Sequence, residues 1–105
     1  MLSGVRLKQK VTPYANMLRG ASHMHRLSML YLLAQEPMTA KDILQHIKLS
    51  PPLIAHHLKA LYGSGWITKT KYGRLVTYYL DPRAFRAFQK FILDTPFGQD
   101  LKKKS

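Results

Sequence analysis

Two helix starts of the same form constrain the fold of this chain more than any other feature. Ser-Pro at 50–51 and Asp-Pro at 81–82 each place a side-chain oxygen directly before a proline. Serine and aspartate are good N-caps, and proline suits the first helical position, where its missing amide costs nothing. The sequence therefore predicts one helix that begins at Pro51 and another over 82–94.

The segment between these two helices has the composition of a β-hairpin. Residues 66–80 are rich in β-branched and aromatic side chains, which favours two strands. Tyr72-Gly73 lies between the two runs and predicts a tight turn in which Gly73 takes a positive φ. Gly63 is predicted to close the preceding helix as a left-handed cap.

The first half of the chain predicts two further helices. Over 23–35, apolar residues that include Leu27 and Tyr31 recur at helical spacing, and their number predicts a helix covered on more than one side. A short helix follows, in which Thr39 and Asp42 have the spacing of a capping box and the last residue lies near position 48.

The two ends of the chain are less determined. Residues 1–21 form either a basic arm or a short amphipathic helix, and the sequence leaves both readings open. Residues 22–94 are predicted to hold the folded domain. Residues 95–105 end in three lysines and are predicted to be a loose basic tail.

The charge of the chain is strongly unbalanced. Its 105 residues carry 17 Lys and Arg against 5 Asp and Glu, a formal net charge of +12, which favours a polyanionic partner such as nucleic acid. So few carboxylates argue against a hydrolase with paired acidic groups, and the lack of cysteine excludes disulfides and thiol catalysis. With no nucleophile–base pair or phosphate loop either, we expect no enzyme. No apolar run approaches the roughly 20 residues of a membrane span, and the N-terminus has no signal-peptide core.

The predicted order of elements matches one fold class. Two short helices joined by a tight turn and followed by a basic hairpin describe a winged helix-turn-helix, whose second helix enters the major groove of DNA. The fold is thus predicted to be mainly α with a β-hairpin, in the order α-α-α-β-β-α, with a possible extra N-terminal helix.

One part of the sequence resembles a known family. From Arg26 to Pro82 the chain is similar to the ArsR-type winged-helix regulators of bacteria and archaea, through RLSMLYLLAQEPMTAKDILQHIKLS, PPLIAHHLKALYGSGWI and TKTKYGRLVTYYLDP. The most specific match is His57-Leu58-Lys59-x-Leu61 with Gly65, where the family has HLKxL and a glycine before the wing. The resemblance implies a homodimer that binds operator DNA, with the terminal helices in the interface.

The chain departs from this family in its sensing residues. Many members sense metals or thiol oxidation through cysteines, or through Asp and His on the last helix. Here there is no cysteine, and all five histidines precede Leu58. We therefore expect no metal site and no cofactor, and the sequence names no effector.

The residues expected to contact DNA lie at the start of the helix-turn-helix, on the exposed face of its second helix and on the wing. His57 lies on the apolar face of that helix and is expected in the core. The wing cations either contact phosphates or only keep the hairpin solvated and prevent edge pairing. Adjacent histidines point about 100° apart on a helix, so His56 and His57 are not expected to pair on a metal. The predicted DNA-binding residues are Lys41, Ser50, Pro51, Pro52, Ala55, His56, Lys59, Lys69, Lys71, Tyr72 and Arg74.

The last helix carries an aromatic stripe at helical spacing. This stripe either belongs to the core of the same chain or packs against a partner subunit, and a surplus aromatic helix favours the partner. The predicted dimer-interface residues are Tyr14, Met17, Leu18, Phe85, Phe88, Phe91 and Ile92.

Together these features predict a sequence-specific regulator of transcription that binds double-stranded DNA. We expect a homodimeric repressor in the cytoplasm of a prokaryotic cell, associated with the nucleoid and not with a membrane. The exposed face of the recognition helix has no Arg, Asn or Gln, so direct reading of bases is expected to be weak. Two alternatives stay open: a nonspecific, chromatin-like nucleic-acid-binding protein and a winged-helix module that binds an acidic protein.

Overall fold

The structure, a computed structural model, describes residues 3–104. Met1, Leu2 and Ser105, which belong to the predicted arm and tail, lie outside the described residues. The elements are α1 (Gly4–Ala21), α2 (Met24–Gln35), β1 (Met38–Thr39), α3 (Ala40–Leu44), α4 (Pro51–Gly63), β2 (Ile67–Tyr72), β3 (Leu75–Leu80), α5 (Pro82–Leu93) and α6 (Pro96–Lys104). The element order confirms the predicted helices and hairpin, includes the possible N-terminal helix, and adds the short strand β1 and the helix α6.

Of the two alternatives for the N-terminal segment, the structure has the helix, which is longer than expected and runs continuously for 18 residues. The Ser3 hydroxyl accepts a hydrogen bond from the amide of Arg6 at 3.3 Å and caps α1. Pro13 lies inside the helix, where it removes one backbone donor. At the other end of α1, the Trp66 indole donates to the carbonyl of Met17, which attaches this helix to the domain.

The C-terminal segment also differs from the expected loose tail, because residues 96–104 form helix α6. Gly98 allows α6 to pack closely against α5, since a Cβ at this position would overlap the backbone of Leu93. The Thr95 hydroxyl accepts a hydrogen bond from the Gly98 amide at 3.1 Å and supports the turn into α6. The division of the chain into 1–21, 22–94 and 95–105 stays a prediction.

The caps predicted from the sequence are present. Thr39 and Asp42 form both hydrogen bonds of the capping box, at 3.0 and 3.1 Å, although α3 ends at Leu44, earlier than expected. Ser50 caps α4, and the Asp81 carboxylate accepts from the Arg83 amide at 2.9 Å at the start of α5.

The sheet has three strands in the order β1-β3-β2, all antiparallel. Tyr72 pairs with Leu75, so the wing turns through Gly73 and Arg74, one residue later than the sequence suggested. Gly73 has the predicted positive φ of 61°. The left-handed cap expected at Gly63 is wrong: Gly63 is still helical, and Gly65 takes the positive φ of 86°.

The core lies where α2, α3 and α4 meet the sheet. Its fully buried side chains are Met29, Ile43, Ile54, Leu58 and Leu61. The apolar stripe of α2 is split between two environments, because Leu30 is buried whereas Leu27 and Tyr31 are 63% and 70% exposed. Helix α2 packs against α1, α4 and β3, whereas the part that carries Leu27 and Tyr31 stays uncovered in the isolated chain.

The described chain is elongated. Its radius of gyration is 16.4 Å, whereas a compact domain of this length has about 13 Å. The first half of α1 and the Ser3 cap, residues 3–10, are all exposed, and they include the apolar Val5 and Leu7. No helix within residues 3–104 is long and apolar enough to span a bilayer.

Candidate nucleic-acid interface

Helix α4 separates its side chains into two faces. Ile54, His57, Leu58 and Leu61 are buried against the domain. The four predicted contact residues on the opposite face are exposed: Pro52, Ala55, His56 and Lys59. Ser50 caps this helix through its hydroxyl, which accepts from the Leu53 amide at 3.4 Å, so the exposed first turn is held in place by a local hydrogen bond.

The wing stands beside this helix and shares a groove with it. Ala55 and Lys59 of α4 face Lys69 of β2 across the groove. The Lys69 ammonium lies 4.5 Å from the centre of the Tyr62 ring, a cation–π contact that directs this charge toward α4. At the wing tip, Tyr72 is 89% exposed, and Lys71 and Arg74 beside it are exposed as well.

Lys41 joins the wing cations although it belongs to α3. A surface depression is lined by Lys41 and by Arg74 and Val76 of the wing, so the start of α3 and the turn of the hairpin lie on one side of the domain. The capping box holds this start in place, and its hydrogen bonds from Thr39 keep the pKa of Asp42 below the usual value, so the carboxylate stays ionised in the cap.

The predicted DNA-binding residues come from the exposed surface of α3, α4 and the hairpin, where α4 shares one depression with β2 and the start of α3 shares another with the hairpin turn. All of them are exposed in the chain. The members of this surface, here called the basic face, are Lys41, Ser50, Pro51, Pro52, Ala55, His56, Lys59, Lys69, Lys71, Tyr72 and Arg74.

A cluster of histidines borders the basic face, and the sequence did not reveal it. His57 is 7% exposed, and its Nδ1 accepts a hydrogen bond from the Arg26 Nε at 3.1 Å. The rings of His23, His56 and His25 lie 4.6, 5.5 and 5.8 Å from the His57 ring. Burial, and then the charges of His23 and Arg26, keep the pKa of His57 below its usual value. The two histidine pairs are about thirty positions apart, so only the fold brings them together.

Within residues 3–104, no group of three His, Cys, Asp or Glu side chains is placed to hold a metal ion.

Some of the residues predicted for a dimer interface pack within the chain, and others stay exposed. Tyr14 stacks on Phe91 with ring centres 4.1 Å apart, and Phe85 packs edge-on against Trp66 at 5.1 Å. These contacts within the chain agree with the alternative that the aromatic stripe is partly core. Of the predicted interface residues, Leu18, Phe85 and Ile92 are still exposed by 45%, 41% and 38%.

An apolar groove extends this exposed surface onto α2. The groove has a volume of about 530 Å³, and its rim includes Leu18 of α1, Leu27 and Tyr31 of α2, and Phe85 of α5. Sequence reasoning identified the apolar stripe with Leu27 and Tyr31 but not what covers it, because apolar periodicity does not distinguish a core face from a face that binds a partner. The excess of apolar residues on α2 was the only signal.

Comparison with known proteins identifies the family. The model of "Bacterial regulatory protein, arsR family" matches residues 24–69. The transcriptional repressor SdpR of Bacillus subtilis (strain 168) is 35% identical over 66 residues, which is 63% of this chain and 73% of that protein. The chain belongs to the ArsR family. The resemblance inferred from the sequence is therefore confirmed, and the family is one of regulatory proteins rather than enzymes.

Other ArsR-type proteins extend the comparison. The arsenical resistance operon repressor of Staphylococcus xylosus is 33% identical over 67 residues, and the match spans 64% of this chain and 64% of that repressor. A solution structure of a homodimeric winged helix-turn-helix DNA-binding domain from Mycobacterium bovis has a TM-score of 0.69 at 20% identity, covering 84% of this chain and 82% of the other. This likeness confirms the winged helix-turn-helix fold.

Proposed function

We propose that this chain is a homodimeric repressor of transcription that binds double-stranded DNA through the basic face. The observation that carries the proposal is that exposed cations from α3, α4 and the hairpin surround an exposed recognition helix. The ion pairs among the described residues, Arg83–Asp81 and Lys90–Asp94, are both formed at α5. They leave the positive charge of the basic face without an acidic partner. Such a repressor would act in the prokaryotic cytoplasm, at the nucleoid.

The proposed mode of binding follows from the side chains of α4. The exposed residues Pro52, Ala55 and His56 offer a methyl group and one imidazole, but no bidentate partner for guanine or adenine. Sequence specificity would therefore arise from DNA shape and from the spacing of two half-sites, about one helical turn apart, set by the dimer. Relatives named as repressors, the arsenical resistance repressor and SdpR, support the regulatory role.

The dimer part of the proposal rests on the uncovered apolar groove. Leu27 and Tyr31 expose more than half of their surface beside Leu18 and Phe85, and an exposed apolar surface of this kind marks an interface. The Mycobacterium bovis domain of the same fold is homodimeric, which supports a second copy as the occupant.

The dimer is tested by analytical ultracentrifugation of Leu27→Glu. This substitution adds a carboxylate to the proposed interface and should shift the protein to monomers. Leu75→Glu is the matched control, because Leu75 is exposed on the wing, away from the groove. A wild-type protein that is monomeric at micromolar concentration, or equal effects of the two variants, would contradict the dimer.

DNA recognition is tested by selection from random duplexes, followed by titration of the recovered and of a mixed sequence. We expect a two-fold symmetric motif and tighter binding of the recovered duplex. Binding without a recoverable motif would favour the nonspecific, chromatin-like role. No binding of either duplex at low salt would favour an acidic protein as the partner.

A further inference from the structure

Helix α4 has two edges, and only one of them faces the wing. Ala55, Lys59 and Tyr62 line the groove toward β2. On the other edge, Ala60 and Ser64 border a depression shared with α1 and with Arg26 of α2. His56 belongs to this second edge, since its ring contacts the His57 ring and His57 is bound to Arg26.

The second edge is bordered by the histidine cluster. His23 precedes α2 as its N-cap, and its ring lies 4.6 Å from His57 and 5.3 Å from His25. His23 and His56 are exposed and His25 is half-buried, so the cluster opens to solvent beside the basic face.

The electrostatic surroundings of the cluster are positive. The charges that act on His57 come from His23, Arg26, His56 and His25, which are all cationic when protonated. From α1, Arg19 lines the same depression as Arg26. Neighbouring cations oppose the protonation of an imidazole, whereas a bound anion favours it. An anion at this edge would therefore be bound together with protons.

The geometry of DNA supplies such an anion. An α-helix with side chains is about 10–12 Å wide and the major groove is about 12 Å wide, so a helix in the groove has a phosphate backbone on each side. With α4 in the groove, the wing cations would lie toward one backbone. The His23, His25 and His56 side chains lie on the opposite edge of α4.

We propose that His23, His25 and His56 form a second phosphate-binding surface of the basic face, and that DNA binding at this surface takes up protons. The inference rests on the proposed DNA-binding function. Arginine and lysine contacts do not respond to pH near neutrality, but imidazole contacts do. Each proton taken up raises the association constant tenfold per unit fall in pH, so half a proton per protomer gives about tenfold for a dimer.

The test measures Kd for one duplex by fluorescence anisotropy between pH 6.5 and 8.0 at constant ionic strength. Calorimetry in two buffers of different ionisation enthalpy counts the protons taken up. The variants are His23→Gln/His25→Gln and His56→Gln, each with an unchanged fold checked by circular dichroism. His46→Gln is the matched control, because His46 follows α3 and lines a different depression.

We expect wild type and His46→Gln to gain about tenfold in affinity from pH 7.5 to 6.5, with proton uptake in the calorimeter. The double variant and His56→Gln should lose most of this gain and keep a steep dependence on salt from the lysine and arginine contacts. Salt-dependent binding by wild type without pH dependence would overturn this inference and leave the proposed function standing. An equal loss in His46→Gln would also overturn it, and an absence of DNA binding at low salt would overturn both.

Discussion

The strongest prediction concerns the dependence of DNA binding on salt. The basic face presents five exposed cations in each protomer, Lys41, Lys59, Lys69, Lys71 and Arg74, and so ten in a dimer. If all ten reach phosphates, log K falls with log salt with a slope of about −9. Between 50 and 200 mM salt, such a slope weakens binding by about 10⁵-fold.

Lys71→Ala isolates one contact of this set. Lys71 lies at the end of β2 and is exposed, whereas Lys69 also supports the Tyr62 ring, so Lys71 is the cleaner site. The substitution removes two phosphate contacts from a dimer and should make the slope shallower by about 1.8. At 0.1 M salt this corresponds to about sixty-fold weaker binding.

The measurement is a titration of one duplex at four or more salt concentrations at fixed pH. Lys90→Ala is the matched control: it removes the same charge, but Lys90 lies on α5, where it pairs with Asp94 at 3.3 Å. We expect the slope of this variant to stay near that of wild type. A slope that does not change in Lys71→Ala, or changes equally in both variants, would refute the assignment of the wing to phosphate contact.

Two further predictions concern stability, measured by denaturant unfolding with tryptophan fluorescence. Gly20→Ala should lower the free energy of unfolding by about 1–3 kcal/mol, because its Cβ would overlap the Ser64 side chain where α1 meets α4. Gly63→Ala is the control and should be neutral or stabilising, because the space around its Cβ is open. An equal effect of both would contradict this packing. Because burial lowers the pKa of folded His57, the unfolded chain binds the proton more readily, so stability should be full above pH 6.5 and decrease as pH falls below it. His57→Gln, which keeps an acceptor for Arg26, should show a weaker decrease, and an identical pH profile would rule out this role.

Sequence alone was sufficient for the helix starts, which depend on neighbours in the chain. The caps at Thr39, Ser50 and Asp81 are each completed within three residues, and all three occur as predicted. The face of α4 was predictable for the same reason, because the spacing of Ile54 and Leu58 determines which side is buried.

Elements that depend on distant contacts were not predictable. Strand β1 has two residues and exists through the pairing of Met38 with Tyr78, forty positions away. The attachment of α1 to the domain through the hydrogen bond from Trp66 to Met17 was not predictable, because no local signal in the first 21 residues indicates this contact. The histidine cluster likewise requires α2 and α4 to cross.

The distribution of apolar and charged surface connects DNA binding with dimerisation in the proposed function. The exposed side chains of α4 offer little to distinguish one base pair from another, so a single protomer would bind DNA mainly through charge. The apolar groove formed by α1, α2 and α5 provides the missing constraint, since a second copy docked there would fix the distance between two recognition helices. A fixed distance selects half-site spacing and DNA that bends to match it, which gives specificity without bidentate base contacts. The exposed Leu27 and Tyr31 would then contribute to operator selection although they lie outside the basic face.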